Sequence, residues 1–102
     1  MQTTNLNRNS YAKIIKQVEN ISVEKNKLYG SENLIKYGQL GMVIRLDDKM
    51  ARLSNLVRYN KLKNYNNLKS YSIQDNCLDM INYLIYLIML NRGELIEHNK
   101  KL

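Results

Sequence analysis

No proline occurs in the 102 residues of this chain, and only four glycines interrupt it. Proline and glycine form many of the turns that connect short strands, so a chain almost free of both is poorly suited to a turn-rich β-sandwich. The same lack of helix breakers favours long helices. Because 44% of the residues are hydrophobic and the length suits one core, we predict a single all-α domain.

Apolar residues at helical spacing predict a small bundle of three main helices plus one short helix. Ser10 is a suitable N-cap for the first helix, and Ser72 begins a sequence that resembles a capping box. The predicted helices run from Ser10 to about Gly30, over residues 32–37, over residues 39–59, and from Ser72 to about residue 91. We expect a flexible N-terminus at residues 1–9, a helical domain at 10–92 and a C-terminal tail at 93–102.

Charge, cysteine content and hydrophobic runs indicate the cellular compartment of the protein and whether it contacts a membrane. The formal net charge is +7, and a single cysteine excludes an internal disulfide framework, which is typical of a reducing compartment. The first ten residues lack the apolar core of a secretory signal, and no apolar run approaches the roughly 20 residues of a membrane span. We therefore predict a cytoplasmic protein without a membrane partner.

Residues 58–70 are basic and rich in asparagine, and we predict that they form an exposed loop. Tyrosines alternate with cations in this segment, an arrangement that can stack bases and bind phosphates. The candidate nucleic-acid-binding residues are Arg58, Lys61, Lys63 and Lys69. A solvated loop without a ligand is the alternative interpretation.

The predicted helix that begins at Ser72, the third of the main helices, carries one polar stripe on an otherwise apolar surface. Its members are Asp75, Asp79, Asn82 and Tyr86, which share one helical face. Two carboxylates one turn apart repel each other unless a cation lies between them, and such oxygen ligands suit Mg²⁺. Asp75 and Asp79 are thus candidate metal ligands, and Asp79 is the candidate catalytic residue. Alternatively, Asp75 stabilises only the helix N-terminus and Asp79 pairs with an arginine.

The predicted helix over residues 39–59, the second of the main helices, carries a matching charged stripe of Arg45, Asp48, Lys49 and Arg52. Arginines and a lysine in one row can hold a phosphate, so Arg45, Lys49 and Arg52 are candidate nucleotide-binding residues. A solvated charged face is the alternative. If the two helices pack antiparallel, the stripes meet, and Asp79 should form an ion pair with Arg45, Lys49 or Arg52 because an unpaired carboxylate in an apolar helix is costly.

Three stretches together resemble the nucleotide modification associated domain 1 family of phages and bacterial mobile elements. The matching residues are Tyr29 and Gly30; Arg45, Asp48, Lys49, Arg52 and Leu53; and Ser72, Asp75, Asp79, Asn82 and Tyr83. The resemblance implies nucleotide binding. It also implies a distant likeness to the all-α nucleotide pyrophosphohydrolases of the MazG type, which hold Mg²⁺ with acids on two helices. Their double-glutamate helix is absent here, and Asn76 stands where a second acid is expected, so binding without hydrolysis is an open alternative.

Two functions of different classes follow. The first is a small phage-type nucleotide-binding protein, with Mg²⁺-dependent hydrolysis as its chemistry if it is an enzyme. The second is a non-enzymatic inhibitor of a host defence system, an anti-CRISPR protein or a nucleotide sponge, whose basic surface binds RNA, DNA or a defence protein. A chain of this size has a thin core, so we expect a homo-oligomer in either case.

Overall fold

The computed structural model describes residues 5–30, 32–63 and 67–95; at residues 29, 60–63 and 67–71 the description covers the backbone alone. Within these ranges all regular structure is α-helical, which confirms the predicted all-α class. The elements are α1 (Arg8–Tyr29), α2 (Glu32–Ile35), α3 (Gly38–Lys63) and α4 (Asn67–Arg92). None of these helices is long and apolar enough to cross a membrane.

Helix α1 begins earlier than the sequence pattern predicts. Asn7, and not Ser10, is the N-cap: its side-chain oxygen accepts a hydrogen bond from the Ser10 N–H at 3.0 Å. Asparagine and serine serve equally well as caps, so the apolar spacing alone could not choose between them. Part of the predicted flexible N-terminus is therefore helical. At the other end Gly30 terminates α1 as predicted, with a φ of 72° that favours glycine.

The predicted loop at residues 58–70 is wrong over most of its length. Helix α3 continues to Lys63 and α4 begins at Asn67, so most of the segment extends the two helices. The segment contains no proline or glycine, and lysine, arginine and leucine are good helix formers when exposed. Ser72 consequently lies in the second turn of α4 and caps nothing. Instead its carbonyl oxygen accepts a hydrogen bond from the Asn76 side-chain amide at 2.9 Å.

Helices α3 and α4 form an antiparallel hairpin, which is the condition under which the two predicted stripes can meet. Lys49 contacts Asp79 near the middle, and Asn91 donates a hydrogen bond to Gln39 at 3.3 Å near the open end. Residue numbers rise along one helix as they fall along the other, which defines the antiparallel register. The short helix α2 packs on α3, and α1 packs on α4.

The core of the described chain is thin. Its buried apolar side chains are Val18 of α1, Met42 of α3 and Leu78 of α4, and Met42 is fully inaccessible to solvent. The radius of gyration is 16.5 Å and the extents are 58 × 29 × 25 Å. A compact domain of this length would have a radius of gyration of about 13 Å. The helices therefore make an elongated body that leaves much apolar surface uncovered.

Met42 should contribute most to stability in this small core. Met42→Ala should lower the free energy of unfolding by about 2–5 kcal/mol, because it removes buried methylenes and leaves a cavity that helices can only partly close. Leu40→Ala is the matched control on the same helix: Leu40 is 69% exposed, and its truncation should change stability by less than about 0.5 kcal/mol. Urea unfolding of the two variants measures both values. Equal losses would contradict this description of the core.

Candidate functional site

A cleft of about 680 Å³ opens between the C-terminal half of α1, helix α2 and the α3–α4 hairpin. This volume is in the range of small-molecule sites in proteins. Polar and aromatic groups from all four helices line it, notably Lys25, Asn26, Asn33, Arg45, Asp79, Asn82, Tyr83 and Tyr86. The polar stripe predicted on the third main helix therefore faces this cleft, with the exception of Asp75.

Asp79 forms ion pairs with two lysines from different helices. Its Oδ2 lies 2.9 Å from Lys49 Nζ on α3, and its Oδ1 lies 3.4 Å from Lys25 Nζ on α1. The prediction that Asp79 pairs with a cation of the α3 stripe is confirmed. Side-chain exposure is 21% for both Asp79 and Lys49 but 57% for Lys25. The pair with Lys49 is thus the more sheltered one, and the carboxylate is surrounded by more positive than negative charge.

Arg45 extends into the cleft from the start of α3. Its Nη2 donates a hydrogen bond to the carbonyl oxygen of Asn33 at 3.4 Å, which tethers the guanidinium to the segment of α2. Among the described residues it forms no ion pair, and one backbone acceptor leaves most of its five N–H donors available. Arg45 is therefore the group in the cleft best placed to bind an anion.

Asn82 and Tyr86 fix α1 against α4 at the floor of the cleft. The Asn82 side-chain amide is buried and donates to the carbonyl oxygen of Val18 at 3.1 Å, and the Tyr86 hydroxyl is hydrogen-bonded to the Ser22 hydroxyl. Both bonds satisfy polar groups that the packing of these helices removes from water. The ring of Tyr86, together with that of Tyr83 on the same helix, supplies an aromatic wall.

The structure brings only part of the predicted site together. Arg45 and Asp79 line the cleft, whereas Lys49 contacts it only through its ion pair with Asp79. Arg52 lies outside the lining, pairs with Asp48 at 3.3 Å and is largely exposed. Asp48 therefore neutralises Arg52 locally, one turn along the same helix.

Asp75 and the basic segment lie elsewhere. Asp75 is exposed and borders a shallow hollow of about 250 Å³ with Asp79 and Lys25, outside the main cleft. Arg58 is exposed on α3. The side chains of Lys61, Lys63 and Lys69 lie outside the described residues, so the proposed nucleic-acid surface stays a prediction.

Lys25 is the site residue that sequence reasoning missed. Tyr11, Val18 and Lys25 are seven residues apart, so Lys25 continues the apolar stripe by which α1 was recognised. A lysine at the end of an apolar stripe indicates an ion pair or a ligand where the helix leaves the core. This signal was present in the sequence, but it points to a contact only once the neighbouring helix is known.

The residues around Asp79 fit Mg²⁺ poorly. Both carboxylate oxygens already pair with lysine ammonium groups, which would repel a divalent cation. Within the described ranges no three histidine, cysteine, aspartate or glutamate side chains cluster as metal ligands. The two lysines thus disfavour a divalent cation at Asp79.

No family model, curated protein or solved structure matches the chain. The resemblance to the nucleotide modification associated domain 1 family therefore stays a prediction from the residues that carry it. An activity has to follow from the side chains of the cleft, because a helical fold by itself defines no function.

Asp79 should be coupled more strongly to Lys49 than to Lys25, because the Lys49 pair is shorter and more shielded from water. Double-mutant cycles with Asp79→Asn and either Lys49→Met or Lys25→Met measure each coupling by urea unfolding. We expect about 1 kcal/mol for Lys49 and less than about 0.5 kcal/mol for Lys25. The reverse order would show that Lys25 is the main partner of Asp79.

Proposed function

We propose that the cleft binds a nucleotide, with Arg45 and Lys25 holding the phosphate groups and Tyr83 and Tyr86 contacting the base. One observation carries this proposal: Arg45 makes no ion pair among the described residues and lines a cleft of ligand size that two tyrosines also line. Guanidinium donors fit phosphate oxygens in pairs, and such charge-assisted hydrogen bonds are roughly twice as strong as neutral ones.

The charges near the cleft support an anionic ligand. Its two acids are Asp79 and Glu94; Asp79 is shared by two lysines, and Glu94 lies 3.8 Å from Arg92. Every acid of the lining is thus matched by at least one cation, and Arg45 adds a further positive charge. The net charge of +7 on the whole chain attracts polyanions toward this surface.

The two tyrosines of the aromatic wall favour a nucleotide, which carries a base, over a simple phosphate ion as the ligand. Stacking of a base on an aromatic side chain contributes about 1–3 kcal/mol and tolerates any base. The hydrogen bond between Tyr86 and Ser22 restricts the rotation of the Tyr86 ring before a ligand arrives. Less conformational entropy is then lost on binding.

Binding is better supported than hydrolysis. In-line hydrolysis needs an activated water, which Mg²⁺ held by clustered carboxylates can supply. Here Asp79 is engaged by lysines, and Asp75 lies outside the cleft. The alternative, a defence inhibitor with a basic nucleic-acid surface, stays a second prediction, because the side chains of Lys61, Lys63 and Lys69 lie outside the described residues. We propose binding in the cleft because Arg45 and the two tyrosines meet there.

Arg45→Ala should weaken nucleotide binding by about 5- to 150-fold, since a lost charge-assisted hydrogen bond is worth about 1–3 kcal/mol. A thermal-shift screen over the ribonucleoside triphosphates and monophosphates first identifies the ligand, because a ligand in excess over its Kd raises the melting temperature. Isothermal titration of that nucleotide into the parent chain and the variant then measures the change in affinity.

Arg52→Ala is the matched control, because it removes the same side chain from the same helix outside the cleft. It should leave the nucleotide affinity within about twofold. Lys61→Glu combined with Lys63→Glu should do the same, because their backbone lies about 24 Å or more along α3 from Arg45 at 1.5 Å per residue, beyond the roughly 10 Å over which charges act in ordinary salt. If Arg52→Ala or the double change weakens binding as much as Arg45→Ala, the ligand lies on the basic surface and the cleft proposal is wrong. Failure of every nucleotide to shift the melting temperature would also contradict it.

Asp79→Asn distinguishes binding from metal-dependent catalysis. The change keeps the side-chain shape and removes a negative charge, which frees Lys25 to contact phosphate. Nucleotide affinity without Mg²⁺ should therefore rise several-fold, because removing a like charge from beside the phosphate favours the anion. Triphosphate hydrolysis by the parent chain in Mg²⁺, abolished in Asp79→Asn, would instead assign Asp79 to a catalytic metal site.

A further inference from the structure

The side of the α3–α4 hairpin that faces away from the cleft is apolar and uncovered. On α3 it comprises Val43, Met50 and Val57, each about half exposed. On α4 it comprises Cys77, Ile81, Leu84 and Ile88, of which Leu84 and Ile88 are 48% and 51% exposed. We call these seven residues the back face.

Helical geometry places the back face opposite the cleft. At about 100° per residue, Leu84 lies about 160° round α4 from Asn82, and Val43 lies about 160° round α3 from Arg45. Asn82 and Arg45 both line the cleft. The back face therefore belongs to neither the cleft nor the contact with α1.

The spacing of the back face is that of a helix–helix seam. Its three residues on α3 are seven apart, and its four residues on α4 are separated by four, three and four. Repeats of this kind place apolar side chains in one line along the helix, as in coiled coils and four-helix bundles. Within the chain the helices pack through other residues, such as Met42 and Leu78. A second seam is thus built into the hairpin and left without a partner.

Charge is absent from the α4 part of this surface. No charged residue occurs between Asp79 and Arg92, and the two acids of α4 lie on the other side, near Lys25. A helix that is apolar round most of its circumference is normally buried on all sides. Here α1 and α3 cover two sides of α4, and the third side is the back face.

We propose that the back face binds the back face of a second copy of this chain, so that two hairpins form a four-helix bundle. The apolar seam, which has Asp47 between Val43 and Met50 on α3 and no charge on α4, is the same on each copy, so two copies can pair about a two-fold axis. The thin core of the single chain is completed in this way.

The available area suits a dimer. From the Gln39–Asn91 contact to Val57 the hairpin extends for about 27 Å at 1.5 Å per residue, and two helices side by side are about 20 Å wide. Pairing therefore buries about 500 Å² on each copy, or about 1,000 Å² in total, which is the least expected of a specific interface. Because the clefts lie on the opposite sides, both stay open in the dimer, and this inference does not depend on the proposed function.

Leu84→Glu tests the proposal, with Ile44→Glu as the matched control. Both residues are exposed aliphatic positions inside helices, and Ile44, 61% exposed, lies outside the back face. Sedimentation equilibrium of the parent chain at about 100 µM, well above a Kd of about 1 µM, should give twice the chain mass of 12.1 kDa. Leu84→Glu should sediment as a monomer under the same conditions, and Ile44→Glu should remain a dimer.

Circular dichroism at 222 nm accompanies each measurement, so that loss of association is separated from loss of fold. A parent chain that is monomeric at this concentration overturns the proposal whatever the variants do. A Leu84→Glu chain that keeps the dimer mass overturns it too, because a buried pair of carboxylates would not be tolerated at the seam. Dissociation by Ile44→Glu alone would place the interface on the outer side of α3 instead.

Discussion

The Asp79 carboxylate is the point at which three helices meet. It belongs to α4, and its two oxygens pair with Lys49 of α3 and Lys25 of α1. The sheltered Lys49 pair joins α4 to α3, whereas the more exposed Lys25 pair adds little to the contact with α1. The apolar core is too small to orient these helices alone, so the buried Asn82–Val18 hydrogen bond and the Tyr86–Ser22 hydrogen bond hold α1 in register on α4. The cleft exists because α1 is held there.

The same arrangement explains the character of the cleft. Holding one acid with two lysines surrounds it with an excess of positive charge, and Arg45 adds to that excess without an acid of its own among the described residues. A charge that the fold leaves uncompensated is one that a ligand can compensate. The packing of the helices and the positive charge beside the cleft thus have one cause, and Lys49, half-buried in its pair with Asp79, supports the site without lining it.

Sequence reasoning could predict what depends on local periodicity. The apolar spacing around Val18 predicts α1, and the polar stripe with Asp79, Asn82 and Tyr86 predicts the face of α4 that meets other elements. It could not predict that helices continue through residues 58–63 and 67–70, because exposed polar residues are compatible with both loop and helix, and neither proline nor glycine decides between them. It also missed Lys25, because a contact between residues 54 positions apart depends on how α1 crosses α4. The sequence could not distinguish the roles of Lys49 and Arg52 for the same reason. The two residues are three positions apart on α3, yet Lys49 is a sheltered partner of Asp79 and Arg52 is an exposed partner of Asp48.

Helix α4 makes two contacts within the chain and leaves a third, apolar side uncovered. One side carries Asp79, Asn82 and Tyr86 toward α1 and the cleft, the next packs on α3, and the third is the apolar surface ending at Ile88. A helix with a single contact can be polar over half its surface, whereas between residues 77 and 90 α4 keeps its polar residues to the side of the cleft. Rotation of α4 about its axis would move the cleft side chains and the back face together. A ligand in the cleft and a second copy on the back face would therefore act on the same degree of freedom, and any coupling between them must be reciprocal.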